Sequence, residues 1–96
     1  MNIDLKAICG DAIIELKKIE SNSVDLIVTD PPYNLNKDYG NNSDKLEFDE
    51  YLNFSRKWIR EAVRVLKPEG TMYVFMGMKY ISYICLLYTS DAADEL

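Results

Sequence analysis

The residues best suited to chemistry stand together at Asp30-Pro31-Pro32-Tyr33, followed by Asn34. The carboxylate of Asp30 is a hydrogen-bond acceptor carrying a full charge. The two prolines steer Asp30 and Pro31 toward extended backbone and bar a helical course, so the carbonyl of Pro31 can be presented outward as a second acceptor. Two such acceptors beside the ring face of Tyr33 suit an amino group conjugated to a planar ring, as on adenine or cytosine. That amino group is a poor nucleophile, because its lone pair is delocalised into the ring. Accepting hydrogen bonds from both N–H bonds raises electron density on the nitrogen, and the charge of Asp30 favours the positive charge that grows there as an electrophile arrives. Stacking on Tyr33 is worth about 1–3 kcal/mol per base, which helps offset the cost of removing a base from a duplex. What remains is alignment, a proximity effect. Neither a metal nor a nucleophilic side chain is needed, and the sequence offers none.

The alternative is a strand-ending turn with a rigid Pro-Pro and a core tyrosine. Ordinary residue frequencies would produce this tetrapeptide in roughly one such chain in a few thousand, and its place at the end of a strand argues further against coincidence. The elements around it supply that place. Ile3, Leu5, Ala7 and Cys9 alternate as in a strand. Gly10-Asp11 interrupts the alternation, and Asp11 is a good N-cap for a helix from about Ala12 to Ile19. Ser21-Asn22-Ser23 reads as a turn. Val24 to Thr29 is a β-branched apolar run, as expected of a parallel strand covered on both faces, and it ends at Pro31-Pro32, which cannot donate to a ladder.

Residues 34 to 45 read as a polar loop, long for a compact domain unless it serves a function. Phe48, Tyr51, Leu52, Ser55, Trp58, Ile59, Ala62, Val63 and Leu66 then recur at spacings of three and four, which predicts an amphipathic helix with Trp58 in the core. Asp49 is its expected N-cap and Lys67-Pro68-Glu69-Gly70 its stop. Thr71 to Met76 predicts a third strand, and Met78 to Ile84 the start of another helix. Strands alternating with helices predict an α/β fold: three parallel strands of a doubly wound sheet with flanking helices. Three strands leave a fully apolar edge strand open, which native proteins avoid, so the expected sheet is incomplete. Lys37, Lys45, Arg56, Lys57, Arg60 and Arg64 read as solvated charges rather than a nucleic-acid footprint.

Ninety-six residues correspond to one small domain, and 48% hydrophobic with 28% charged residues is ordinary for a globular chain. No basic segment followed by an apolar stretch opens the sequence, and the most apolar stretch, Met72 to Tyr88, is broken by Gly77, Lys79 and Ser82. Core elements, and no membrane partner, are expected. Cys9 and Cys85 have no histidine to join them, so no metal site is expected and a reduced, cytoplasmic protein is the simplest reading. A net charge of −5 argues weakly against nucleic-acid binding. Part of it belongs to a segment that reads as foreign: Cys85 to Glu95 resembles one translated frame of a common transposase-type sequencing adapter. The segment from Cys85 to Leu96 holds three of the sixteen acidic residues and none of the eleven basic ones, leaving residues 1–84 at −2. The domain reading is therefore residues 1–84 as the amino-terminal portion of a larger catalytic domain, with 85–96 as an adapter-derived tail. A genuine acidic tail is the alternative.

With these residues in view, Val24 to Asn34 resembles catalytic motif IV of the amino-methyltransferases. The order of motifs resembles the β-group of N6-adenine DNA methyltransferases, found in restriction–modification systems and as solitary enzymes. Gly10-Asp11 and its helix sit where that family has the preceding strand and acidic loop. Phe54 to Val65 followed by Leu66-Lys67-Pro68-Glu69-Gly70-Thr71 is similar to the helix, LKPGG-like turn and strand after its catalytic loop. The resemblance covers residues 1–84. It implies a Rossmann-like methyltransferase sheet, S-adenosylmethionine as cofactor, and DNA as substrate with the target base flipped out. Asp rather than Ser before Pro-Pro-Tyr leans toward adenine N6 over cytosine N4. It further implies catalytic roles for Asp30, Pro31, Pro32 and Tyr33, cofactor contacts from Asp11 and Asp30, and base contacts from Tyr33 and Asn34. A homodimer and a cognate restriction endonuclease are the protein partners it allows. For Asp11 a plain helix cap is an equal alternative, and for the 34–45 loop a solvated linker.

One departure matters. The family binds its cofactor through an aromatic-x-Gly-x-Gly loop that in the β-group lies far toward the carboxyl terminus, whereas the glycines here are Gly10, Gly40, Gly70 and Gly77. The target-recognition region is missing too, so the 96-residue chain alone is expected to be inactive. A cytosine-N4, RNA or protein-amide methyltransferase remains open, the last disfavoured by Asp30 where that class carries Asn. So does a non-catalytic nucleotide- or partner-binding α/β module.

Overall fold

The computed structural model describes residues 3–32 and 48–94. In chain order it contains α1 (Ala12–Leu16), β1 (Val24–Thr29), α2 (Phe48–Val65), β2 (Leu66–Val74) and α3 (Ile81–Asp94). β1 and β2 pair in parallel, joined by a crossover that includes α2, the helix-in-crossover unit that parallel pairing requires. The alternation of strand and helix is as the sequence predicts, and the apolar stripe of α2 is its buried face. Tyr51, Trp58, Ile59 and Ala62 form the core with Tyr80 and Ile84, and Ile27, Met72 and Val74 pack against it from the sheet.

Three expectations need correction. Ile3 to Cys9 forms no strand. Alternation makes a segment fit for a strand, but a strand exists only where a neighbour takes up its N–H and C=O groups, and none lies beside this segment among the described residues. Ile3 and Leu5 are 71% and 91% exposed. The described sheet therefore has two parallel strands rather than three.

The second correction concerns Lys67-Pro68-Glu69-Gly70. Rather than a turn between helix and strand, these residues lie within β2, which starts as soon as α2 ends. Val24 pairs with Leu66 but Leu26 pairs with Thr71, so the extra residues bulge out of the ladder. Pro68, which cannot donate to a ladder, is tolerated in such a bulge. Gly70 is needed there: a Cβ at this position would stand 2.7 Å from Leu66 Cδ1 and 3.1 Å from the carbonyl oxygen of Asp25. Across the bulge Lys67 Nζ meets Asp25 Oδ1 at 2.9 Å. The hydrogen bond to Asp25, and then its charge, raise the Lys67 pKa above the ordinary 10.5.

The third is coverage. α2 covers one face of the sheet, while Leu26, Val28, Tyr73 and Phe75 on or next to the strands are 55–61% exposed. The expected burial of β1 on both faces is absent among the described residues. α3 begins at Ile81, after a turn, and continues without a break through Cys85 to Asp94. No described helix is long and apolar enough to cross a membrane.

Candidate active site

The turn at Ser21-Asn22-Ser23 sets the start of β1. Asn22 takes a positive φ of 55°, a conformation asparagine tolerates better than most residues. The amide of Asn22 donates to the carbonyl of Arg64 at 3.0 Å and that of Ser23 to Val65 at 2.8 Å. These bonds satisfy carbonyls at the end of α2, which have no partner within the helix. Arg64 itself is no solvated charge. Its Nη2 donates to the Leu16 carbonyl at 2.8 Å, its Nη1 to Ser21 Oγ at 2.9 Å and its Nε to Glu61 Oε2 at 2.9 Å. One guanidinium thereby ties the end of α1 and the turn before β1 to α2.

So fixed, β1 delivers its last residues to the carboxyl edge of the sheet. Thr29 pairs with Val74, and its carbonyl accepts from the Phe75 amide at 2.9 Å. Asp30 follows, exposed, then Pro31, buried, and Pro32, half-buried. The carbonyl of Pro32 accepts a 2.8 Å hydrogen bond from the hydroxyl of Tyr51. Tyr33 and Asn34, expected at the target base, lie outside the described residues, as do Lys37, Lys45 and the whole 34–45 loop.

Asp11 and Asp30 come together. Both line one cavity of about 340 Å³, together with Ile27, Phe54, Trp58 and Ala62. Its size and its apolar lining with a few polar groups are typical of sites for small organic ligands, and it lies at the carboxyl end of a parallel strand, where such sites form in open α/β sheets. Asp11 is also the N-cap of α1: its Oδ1 accepts from the amides of Ile13 and Ile14 at 2.9 and 3.3 Å. Its other oxygen takes part in neither bond, so capping and a ligand contact are compatible.

Two participants escaped the sequence reading. Trp58 is core, 7% exposed, as expected, yet it also walls this cavity, and its buried Nε1 has no partner among the described residues. Tyr51, 1% exposed, was legible only as part of the apolar stripe. Its hydroxyl, the one polar atom that stripe residue carries, is the signal that could have singled it out, since a buried tyrosine O–H needs a partner.

A family model described as DNA methylase, covering N6 and N4 methyltransferases, matches residues 24–94. The chain belongs to that DNA methylase family. It is 58% identical over 89 residues to the type II methyltransferase M.HpaI of Haemophilus parainfluenzae, covering 93% of this chain and 28% of the relative. It is 40% identical over 76 residues to the type II methyltransferase M.BamHI of Bacillus amyloliquefaciens, covering 78% and 18%. Over 77 residues it is 40% identical to the DNA adenine methyltransferase YhdJ of Escherichia coli (strain K12), covering 80% and 26%. The chain thus spans roughly a quarter or less of the length of these DNA methylases. S-adenosylmethionine is the methyl donor expected of the family. The described residues fit part of it: two carboxylates in one cavity with apolar, partly aromatic lining suit a cationic ligand with a flat ring.

Proposed function

We propose that the chain is the amino-terminal portion of a site-specific DNA methyltransferase that transfers a methyl group from S-adenosylmethionine to the N6 amino group of adenine. The observation that carries this reading is the placement of Asp30-Pro31-Pro32 at the carboxyl end of β1, lining the cavity that Asp11 shares.

Asp30 accepts one hydrogen bond from the target amino group, and the carbonyl of Pro31 accepts the other. The two prolines restrict the backbone that carries both acceptors, which limits the reorganisation needed as charge develops. S-adenosylmethionine, when bound, supplies an electrophilic methyl on a positively charged sulfur. Asp11 and Asp30 would hold it electrostatically, and Phe54 and Trp58 would supply apolar contact. Asp30 stabilises the positive charge on the attacking nitrogen, and the surplus amino proton leaves by way of its carboxylate to solvent. Tyr33 stacks on the flipped base, and Asn34 borders it.

The exposed apolar face at Leu26, Val28, Tyr73 and Phe75 belongs, in this reading, under the remainder of a longer polypeptide, which also carries the cofactor's glycine loop and the target-recognition region. Cys85 to Leu96 is, in this reading, a foreign tail, although the family match runs on to residue 94. The whole protein is cytoplasmic, acts on DNA, and pairs with a restriction endonuclease or forms a homodimer where its system requires one. Adenine is favoured over cytosine by Asp30 in the tetrapeptide and by the likeness to a relative named as an adenine methyltransferase.

The test is to express the full-length gene in a host devoid of DNA methylation, digest the host DNA to nucleosides and separate them. N6-methyladenine is the expected product. N4-methylcytosine alone would move the target to cytosine, and no modified base would remove the DNA-methylation reading.

A further inference from the structure

We propose that Tyr51 is a positioning residue for the methyl-transfer reaction: from α2 its hydroxyl fixes the peptide plane after Pro32 and thereby aims the Pro31 carbonyl. The inference rests on the function proposed above and adds to it a residue outside the tetrapeptide.

The tetrapeptide leaves the sheet at Thr29, whose pairing with Val74 and bond to the Phe75 amide anchor its amino-terminal side. Among the described residues, no ladder bond holds the other side. The 2.8 Å bond from Tyr51 to the Pro32 carbonyl does so. The Pro31 carbonyl and the Pro32 carbonyl belong to successive peptide planes, separated only by φ and ψ of Pro32. The pyrrolidine ring locks that φ, so anchoring the Pro32 oxygen fixes ψ and with it the direction of the Pro31 carbonyl.

Tyr51 is suited to hold such an anchor still. Its ring is 1% exposed, lies 4.7 Å from that of Tyr80 and 6.5 Å from that of Phe54, and sits on an 18-residue helix rather than a loop. Phenylalanine would satisfy the packing of this stripe as well as tyrosine. The hydroxyl is the part that packing leaves unexplained.

The experiment uses the full-length protein with radiolabelled S-adenosylmethionine and unmethylated DNA, under single-turnover conditions. Tyr51→Phe keeps the ring and removes the bond. The expected result is a methyl-transfer rate lowered about ten- to a hundredfold, the loss typical of slight misalignment of reacting groups, with cofactor and DNA affinities and Tm close to the unaltered protein. An unchanged rate would overturn the proposal, as would a loss that appears entirely in binding.

Should Tyr51→Phe fail to fold, a fluorinated tyrosine at position 51 decides the matter. It retains the hydroxyl but ionises at lower pH, and a phenolate cannot donate. A fall in rate with rising pH that the unaltered protein lacks supports the positioning role, whereas superimposable pH profiles contradict it. Failure of the function itself looks different, since the unaltered protein would then methylate no DNA base.

Discussion

Asp11, at the head of α1, and Asp30, at the end of β1, line the same cavity. The first also caps its helix through two amide hydrogen bonds, so a simple deletion would confound stability with binding. Two substitutions separate them. Asp11→Ala should cost about 1 kcal/mol of stability through the lost cap and weaken S-adenosylmethionine binding by the full-length protein. Asp11→Ser keeps a capping oxygen but no charge. It should recover the stability and leave the affinity low, as measured by calorimetric titration. Recovery of both would make Asp11 a cap and nothing more.

Arg64→Met tests the tie between α1, the turn and α2. Removing three charge-assisted bonds, one of them to the Leu16 carbonyl, should lower stability by about 1.5–3 kcal/mol. Urea unfolding of the full-length protein reads this directly. The methyl-transfer rate per folded molecule should stay the same, because Arg64 touches neither Asp11 nor the tetrapeptide.

Gly70→Ala should destabilise by about 1–3 kcal/mol, as overpacking does. The added methyl meets Leu66 and the backbone of Asp25. Combining it with Leu66→Val should recover only part of the loss, since the Asp25 carbonyl cannot withdraw without breaking register with β2. Full recovery in thermal melts would mean that the bulge is more yielding than this packing implies.

Much of this was legible in the sequence, and the failures have physical causes. The β-branched run of β1 and the three-four spacing of α2 mark their elements because each reports local geometry and burial together. The cap at Asp11 is a local bond within its own turn and was equally readable. Ile3 to Cys9 was misread because alternation records fitness for a strand and not the presence of a partner. The Lys67–Gly70 bulge was misread because proline and glycine signal a break without saying whether it falls between elements or inside a ladder. The partners of Tyr51 and Arg64 were out of reach: Pro32 and Leu16 are distant in sequence and are set by how α2 packs.

The tail can be tested without protein. α3 runs through it unbroken, yet where Cys85, Tyr88 and Thr89 face Trp58, Ile59 and Met72 an apolar cleft of about 350 Å³ remains. Reading the source DNA past the codon for Ile84 should replace Cys85 to Leu96 with a long continuing frame that contains an aromatic-x-Gly-x-Gly loop. A stop codon after Leu96 in the genome would refute the foreign tail and leave this chain without the expected cofactor loop.

Asp30 is the side chain on which the proposed methyl transfer most directly depends. In the full-length protein, Asp30→Ala should lower the single-turnover rate of methyl transfer about a hundred- to a thousandfold, the loss typical of removing one preorganised electrostatic contact to the reacting group. A fluorescent base analogue at the target position should report that the base still flips. A rate within a few fold of the unaltered protein, with flipping intact, would contradict the claim that Asp30 is the acceptor on which the reaction turns.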